Sequence, residues 1–289
     1  MSDAHIYEQG YRRYDGPRFG VSGSIRSLAI QSARRGLGLR RTFWAKLLPI
    51  ATVVIAYLPA AVFLGVAALL PEEFTEEVDA IPNYADYFGT ISAAIILFVA
   101  IVGPEVLCSD RRNGMLGMYL SSPLTRETYL IAKVLGIFPV LLLVTLGPQL
   151  LLLIGRSLLD VGPETVVDFV LVLVRTLASG IALASLYTAI SMAAASLTER
   201  RAFASAGVIL TLLVSGAVTG ALVEGADFDR RLYLLNVGFL PMELVQRIYG
   251  QPGSEPTIET ASIAFASLAW VVGAIGIVLW RYRRLTIAR

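Results

Sequence analysis

The sequence has little cysteine, histidine or charge, and each shortage excludes a class of protein. The single cysteine, Cys108, cannot form an intramolecular disulfide, and the single histidine, His5, cannot complete an ordinary zinc site with it. Disulfide scaffolds, zinc enzymes and iron–sulfur proteins are therefore excluded. Only 16% of the 289 residues are charged, 56% are hydrophobic, and the mean hydropathy is +0.68. Too little polar surface remains to cover a water-soluble domain.

Motifs for nucleotide hydrolysis and nucleophilic catalysis are also missing. No Gly-x-x-x-x-Gly-Lys-[Ser/Thr] run occurs, and neither of the two lysines, Lys46 and Lys133, follows a glycine-rich loop. No Gly-x-Ser-x-Gly elbow is present, and His5 is a poor candidate for a general base. The net charge of +2 provides no overall attraction for nucleic acid. We therefore predict no catalytic residue, no metal site, no cofactor bound by this chain and no nucleic-acid partner.

Long hydrophobic runs, by contrast, are abundant. A helix rises about 1.5 Å per residue, so about 20 apolar residues cross a hydrocarbon core about 30 Å thick. Six charge-free runs of 18 to 25 residues meet this requirement: 47–71, 87–104, 134–155, 176–198, 202–223 and 260–280. The sequence therefore predicts an all-α integral membrane protein with six transmembrane helices. With flanking residues, the predicted spans are about 47–71, 87–107, 134–155, 169–196, 202–223 and 260–280.

Basic residues are distributed unevenly between the two sides of these spans. The two tails and the loops on their side hold 19 Lys and Arg, whereas the opposite loops hold four. Asp and Glu divide the other way, seven against fifteen. Because Lys and Arg concentrate in cytoplasmic loops, both termini are predicted to be cytoplasmic. Arginine outnumbers lysine 22 to 2, which is compatible with a GC-rich bacterial genome and a bacterial plasma membrane.

The hydropathy pattern divides the chain into four parts. They are a cytoplasmic tail at 1–20, an interfacial amphipathic helix at 21–42, the six-helix transmembrane domain at 43–281 and a second cytoplasmic tail at 282–289. In the second part, Ile25 and Leu28 share one side of a helix. Charge for anionic head groups comes from Arg34, Arg35, Arg40 and Arg41. An interfacial lead-in helix is favoured, with a disordered basic arm as the alternative.

The connection between the fifth and sixth spans, 224–259, is too long to be a simple loop. Its middle part, 232–249, is apolar but is interrupted by Pro241, Glu243 and Arg247. A seventh span there would also place the basic C-terminal tail outside. We therefore predict an external re-entrant or interfacial segment between helices 5 and 6.

Two Gly-Pro pairs lie in the second and third spans, at Gly103-Pro104 and Gly147-Pro148. Proline removes a helical hydrogen bond and crowds the preceding turn. Both pairs are therefore predicted to bend or interrupt their helices.

Two charged residues lie within or beside the spans and are candidates for a gate or an intramembrane polar site. Glu105 is close to the inner end of the second span, and Arg175 is inside the fourth, where a central arginine costs about 3 kcal/mol. Arg175 follows Asp168 by seven residues, which favours snorkelling or an ion pair near the outer surface over a substrate contact. The scarcity of other intramembrane carboxylates weakens the case for an ion-coupled secondary transporter.

The loop between the second and third spans carries a pattern for a short surface helix. Met115, Leu116 and Tyr119 recur at helical spacing, and Pro123 ends the run. Thr125, followed by Thr128 and Tyr129, provides a start for the next helix. Such a helix on the inner surface is suited to contact a cytosolic partner.

At these residues the sequence resembles the membrane subunits of ATP-binding-cassette transporters of the ABC-2 type. The pattern comprises an acidic Glu105, then Asp110-Arg111-Arg112-x-Gly114-x-Leu116, Ser121-Ser122-Pro123-Leu124-x-Arg126-x-x-Tyr129 and Lys133. The layout of the whole chain is similar to that family's plan. Members of that family are mostly exporters, so the resemblance implies a permease subunit that exports an amphipathic or hydrophobic compound and is not itself an enzyme.

The resemblance further implies a homo- or heterodimer of such permease subunits above two cytosolic ABC ATPase subunits, which bind ATP and Mg. Nucleotide binding would press on the loop, whose implied coupling residues are Asp110, Arg111, Arg112, Gly114, Met115, Leu116, Tyr119, Pro123, Leu124 and Arg126. The arginines would contact ATPase carboxylates while the apolar residues fill a cleft; anchoring to anionic lipids is the alternative for the arginines. A permease-like mechanotransmitter for an extracytoplasmic partner is the alternative function, and an ion-coupled carrier is less favoured.

Overall fold

The computed structural model describes residues 16, 19–39, 43–69, 82–121 and 123–285, without the side chains of residues 44 and 45. Within these ranges the chain forms helices and connections, and no strand. The α-helices are α1 Gly20–Gly36, α2 Phe43–Leu69, α3 Tyr84–Arg112, α4 Met115–Ser121, α5 Arg126–Thr145, α6 Gly147–Leu158, α7 Val166–Leu197, α8 Arg201–Gly220, α9 Phe239–Ile248 and α10 Thr260–Arg284. A π-helical turn, Ala221–Gly225, extends α8, and a 3-10 helix, Arg230–Leu235, precedes α9.

Some of the predicted features lie outside the described residues. They are most of the N-terminal tail, Arg40 and Arg41, the acidic residues of the first external loop between 70 and 81, Ser122 of the resemblance pattern, and residues 286–289.

Within the described residues, six helices are long and apolar enough to cross a membrane, which confirms the predicted all-α membrane protein with six spans. They run Lys46–Leu69, Tyr84–Arg112, Arg126–Leu158, Val166–Leu197, Arg201–Gly225 and Thr260–Arg284. Several extend beyond the charge-free runs. The second, for example, continues through Glu105 and Asp110 to Arg112, because both carboxylates have basic partners.

Helix α3 is the centre of the bundle. In its most apolar stretch 72% of the residues are buried, against 22% in α2, α7, α8 and α10. It packs against α2, α5, α7 and α8. At Gly103 the close crossing of α3 and α7 leaves no space for a Cβ atom, because the Ser191 side chain lies there, and the Ser191 hydroxyl donates to the Val99 carbonyl at 3.2 Å.

The two Gly-Pro pairs have different outcomes. Helix α3 continues without interruption through Gly103-Pro104, since proline removes only one hydrogen-bond donor and the surrounding helices hold the turn. The third span is interrupted at Leu146, where α5 ends and α6 begins with Pro148 in its first turn. At this break the Tyr57 hydroxyl of α2 donates to the Leu143 carbonyl at 2.9 Å. Each pair was predicted to bend or interrupt its helix. The interruption is confirmed for the third span, whereas the second span is not interrupted.

Helix α1 lies against α5 and α3 at the end of the bundle where α3 finishes, which we call the Asp110 end. Leu28, Ser32 and Gly36 form its buried face. Gly136 of α5 meets Ser32 and the Ala29 carbonyl so closely that a Cβ atom would overlap them. This contact holds α1 beside the short helix α4.

The opposite end of the bundle, where α3 begins, is called the Tyr84 end. Here α9 packs against α3, α7 and α10. Glu243 of α9 is buried, and its carboxylate accepts hydrogen bonds from Arg247 and from the Ser254 backbone, both at 2.9 Å. These partners allow a buried carboxylate, because a charge away from water needs a counter-ion and hydrogen bonds.

Candidate functional site

Asp110, near the end of α3, is the centre of a buried charge cluster. Its side chain is fully buried and is paired with Arg35 of α1 and with the Lys133 Nζ of α5, which lies 2.5 Å away. The Tyr129 hydroxyl donates to the same carboxylate at 3.0 Å, and Lys133 also donates to the Ser32 hydroxyl at 3.1 Å. One carboxylate thus holds three helices together, and the cluster has one cation in excess.

A stack of tyrosines surrounds the cluster. The Tyr129 ring lies 5.9 Å from Tyr119 of α4 and 5.9 Å from Tyr282 of α10. The Lys133 Nζ lies 5.6 Å from the Tyr119 ring centroid and 5.3 Å from that of Tyr129, within cation–π range. Burial and the nearby Asp110 carboxylate raise the pKa of Tyr119. The aromatic stack therefore connects α4 to α5 and α10.

The side chain of Arg111 points into the protein, although the resemblance implied a contact with the ATPase subunit. Its side chain is 4% exposed. The guanidinium donates to the Ser196 carbonyl at 2.6 Å and the Thr198 carbonyl at 3.3 Å, and it lies 3.3 Å from the Glu199 carboxylate. Arg111 therefore fastens α3 to the connection between α7 and α8.

Arg126, the first residue of α5, makes a similar internal contact. Its guanidinium donates to the carbonyls of Tyr282 at 3.0 Å and Arg283 at 2.6 Å. These carbonyls belong to the last turn of α10, where backbone acceptors have no helical donor and a cation is favoured. Arg126 thus ties the corner between α4 and α5 to the end of α10.

Glu105 lies one turn or more before Asp110 on α3 and is largely buried. It is paired with Arg201, the first residue of α8. The pair joins α3 to α8 and satisfies a carboxylate that would otherwise be costly within the span. Glu105 therefore belongs to the same end of the bundle as the Asp110 cluster.

Helix α4 presents a free surface. Gly114 links it to α3 with φ +65°, a left-handed conformation that disfavours other residues. Met118 is 71% exposed, and Arg112 is exposed and has no hydrogen bond or ion pair within the part of the chain that is described. Met115 is half-buried. The surface thus combines apolar side chains with one available cation.

The other apolar residues among the implied coupling residues face inward. Leu116 and Tyr119 pack against the core, and Leu124 is buried. A groove of about 600 Å³ separates α4 from α1. Its lining includes Gly23, Ser27 and Gln31 of α1, together with Tyr119, Pro123 and Leu124.

The start of α5 matches the sequence prediction. The Thr125 hydroxyl accepts from the Thr128 backbone at 3.2 Å, and the Thr128 hydroxyl accepts from the Thr125 backbone at 2.8 Å. This reciprocal capping box satisfies donors that the first helical turn leaves unpaired. The run from Met115 is likewise a helix, which ends at Ser121 shortly before Pro123. Both predictions are confirmed.

Arg175 lies apart from this site, on α7 near the Tyr84 end. It is half-buried, close to Tyr249 and Gly250. The nearby Asp168 is not its ion-pair partner. The Asp168 carboxylate accepts from the Thr165 hydroxyl at 2.6 Å, and Thr165, the N-cap of α7, accepts from the Asp168 backbone at 3.1 Å. Arg175 has no ion pair within the described ranges.

Three residues of the site had no predicted role, and one was predicted to lie elsewhere. Arg201, Tyr282 and Met118 had no assigned role, and Arg35 was placed toward lipid head groups. For Met118 a signal existed, since an apolar residue three positions after Met115 continues the helical stripe. The others are brought in by long-range packing.

Comparison with known proteins agrees with the resemblance noted above. A family model described as ABC-2 family transporter protein matches residues 66–280. Among curated proteins, no match to the chain was found. Members of this family are membrane components of transport systems and work with an ABC ATPase partner. Because the match covers well over half of the sequence, and the described residues include six apolar helices long enough to cross a membrane, the chain belongs to the ABC-2 transporter family as a multi-pass permease subunit.

Proposed function

We propose that this permease subunit exports an amphipathic or hydrophobic compound across a bacterial plasma membrane. Two such subunits, identical or different, stand above two ATPase subunits, which bind ATP and Mg and hydrolyse the nucleotide. Both termini of the chain are cytoplasmic, so the Asp110 end faces the cytosol. The excess of basic residues at this end supports that orientation.

One observation carries the coupling proposal: α4 has an exposed outer face and an inner side that is fastened to the rest of the bundle. Asp110 fastens it through α3 to α1 and α5, Arg111 to the connection after α7, and Arg126 to α10. A push on α4 is therefore transmitted to several helices as a rigid displacement. Packed interiors transmit strain because they are dense and have little free volume.

The partner surface is expected to match what α4 and the groove present. Met118 and Met115 supply apolar contact, and an ATPase carboxylate would pair with Arg112. The groove between α1 and α4 receives a side chain or a helix edge from the partner. Arg111 and Arg126 do not contact the partner. They act indirectly, by fastening the helices that support α4.

Two apolar grooves support the substrate class. One, of about 950 Å³, lies between α7, α8 and α10, with Phe203, Leu235 and Trp270 in its lining. The other, of about 740 Å³, lies between α5, α7 and α10, with Phe138, Met192 and Val271 in its lining. Such surfaces suit compounds with a large apolar part.

The coupling proposal is tested by co-purification of the full-length chain with its ATPase. Met118→Asp and Arg112→Glu should each reduce the recovered ATPase and its permease-stimulated activity at least tenfold, because both change an exposed partner contact. Phe228→Asp and Arg231→Glu are matched controls on exposed residues at the Tyr84 end and should change neither. Equal loss in the controls, or unchanged recovery in both α4 variants, would refute the coupling surface.

The orientation is tested by labelling intact cells with a membrane-impermeant thiol reagent. The native Cys108 is buried, so the background is low. We expect Phe228→Cys to be labelled and Met118→Cys to be protected until the membrane is permeabilised. The reverse pattern would overturn the orientation. A reconstituted transport assay then separates an exporter from a subunit that only transmits motion.

A further inference from the structure

Four buried polar atoms near the Tyr84 end have no hydrogen-bond partner among the described residues. They are the Tyr84 hydroxyl, the Gln149 Oε1, the Ser179 Oγ and the Gln246 Oε1. Gln149 and Ser179 are both fully buried. Unpaired buried polar groups are rare in native proteins, and each one requires a partner such as water, an ion or a ligand.

These residues come from four helices that meet at one place. The Gln149 Nε2 donates to the Tyr84 carbonyl at 3.2 Å, which brings α6 to the start of α3. The Thr176 hydroxyl of α7 lies 2.8 Å from the Tyr249 hydroxyl, which follows α9. Ser179 lies three residues after Thr176, on the same face of α7. Gln246 lies in the last turn of α9, three residues before Tyr249.

Two arginines add positive charge to this group of residues. The Arg156 guanidinium lies 4.8 Å from the Tyr84 ring centroid and donates to the Val161 carbonyl at 3.4 Å. Arg175 lies beside Tyr249, whose pKa is raised to about 12 by burial although Thr176 and Arg175 oppose that rise. Neither arginine has an ion pair within the described ranges.

Asp86, Asp160, Glu164 and Asp168 lie close to Tyr84 or to these arginines in the sequence, but within the described residues none of them forms an ion pair with Arg156 or Arg175. Asp168 is bonded to Thr165, and Glu243 is bonded to Arg247 and to the Ser254 backbone. The group of residues around Arg175 therefore combines two cations with neutral donors and acceptors. This combination is complementary to an anion that both accepts hydrogen bonds and carries a polar substituent.

We propose that Arg156, Arg175 and the polar residues between them form a binding site for the anionic head group of an amphipathic molecule. The site takes a phosphate or carboxylate group, with Arg175 as the principal contact. The Tyr84 and Ser179 hydroxyls donate to the anion, and the two glutamines bind its polar substituents. Since this site would receive the head group of the exported compound, the assignment rests on the proposed function and narrows its substrate class to anionic amphiphiles.

The test uses the full-length chain in nanodiscs of phosphatidylcholine with a minor fraction of phosphatidylglycerol, analysed by native mass spectrometry. The wild-type chain should retain phosphatidylglycerol in preference to phosphatidylcholine. Arg175→Gln should lower that preference about ten- to hundredfold, the expected loss of a charge-assisted contact. Arg175→Lys should restore most of it. Arg231→Gln removes an exposed charge elsewhere at the same end and should leave the preference unchanged.

A competition with inorganic phosphate identifies the source of the anion. Displacement of phosphatidylglycerol only by other anionic amphiphiles supports a head-group site, whereas displacement by millimolar phosphate alone contradicts the requirement for an apolar tail. Equal retention of both lipids, or an equal effect of Arg175→Gln and Arg231→Gln, overturns the proposal. Because the assay contains no ATPase, its failure is distinct from a failure of ATPase coupling.

Discussion

Replacing Asp110 by Asn removes the one negative charge from a buried cluster that contains two cations. The carboxylate is fully buried and is bonded to Arg35, Lys133 and Tyr129. An asparagine retains one acceptor, but it leaves both cations without a counter-ion. Removing one member of a buried ion pair costs about 3–5 kcal/mol, because the remaining charge is unpaired and away from water. We therefore expect Asp110→Asn to be strongly destabilising.

Because the cluster has one cation in excess, removing a cation should cost less stability than removing the carboxylate. Lys133→Met leaves one carboxylate paired with one cation, Arg35, in a neutral arrangement, so we expect a cost below about 2 kcal/mol. In the Asp110→Asn background, Lys133→Met should restore part of the stability, because it removes an unpaired buried charge. The double-mutant cycle should give a coupling free energy of about 1–3 kcal/mol.

The assay is heating of the detergent-solubilised chain followed by size-exclusion chromatography. Asp110→Asn should lower the apparent Tm by roughly 10 °C, given about 2–4 °C per kcal/mol for chains of comparable size. Asp86→Asn is the matched control, because Asp86 is an exposed acid at the other end of α3. The charge argument is refuted if Lys133→Met is as damaging as Asp110→Asn, or if the double variant is less stable than Asp110→Asn alone.

Three further predictions concern backbone geometry and burial. Gly114→Ala should destabilise by about 1–2 kcal/mol, because φ is +65° there, whereas Gly65→Ala in open helical space should be neutral or stabilising in the same melting assay. Gly136→Ala should push α1 away from α5 at a cost of about 1–3 kcal/mol, and limited proteolysis should then cut α1 faster; an unchanged cutting rate would contradict the close contact. Glu243→Gln should cost about 3–5 kcal/mol, whereas Glu164→Gln, an exposed control, should leave the melting temperature within the measurement error.

The six spans, the helix from Met115 and the helix start at Thr125 were predictable because each depends on neighbouring residues. Hydropathy over about 20 residues identifies a span, and Thr125 ahead of an apolar run indicates the start of a helix. These features do not require knowledge of which helices are neighbours. The two Gly-Pro pairs do require it, because the pair at 147–148 interrupts its helix whereas the helix continues through the pair at 103–104.

The contacts that organise the candidate site could not be predicted, because they join distant parts of the chain. Arg35 and Asp110 are 75 positions apart, and Glu105 and Arg201 are 96 apart. The sequence identified Arg35 and Glu105 as charged residues near membrane surfaces, but it contained no information on their partners. Arg35 was assigned to lipid for that reason. Only the packing of α1 and α8 against α3 determines the pairs.

The group of residues around Arg175 could not be predicted from the sequence for a second reason. Gln149, Ser179 and Tyr249 are single polar residues within apolar stretches, so a hydropathy value averaged over about 20 residues does not reveal them. Their significance depends on the helix faces that they share, which is set by the break at Leu146 and the docking of α9. Arg175 was identified from the sequence, but its surroundings were not.

The contact between Arg126 and the end of α10 has a consequence for biosynthesis. The carbonyl that Arg126 binds belongs to Tyr282, which is added to the growing chain 156 residues later. A nascent polypeptide that has already inserted its third span still lacks this fastening. The proposed docking surface therefore lacks this contact until the sixth span has been synthesised, and we expect an ATPase that recognises the completed surface to bind complete permeases in preference to unfinished ones.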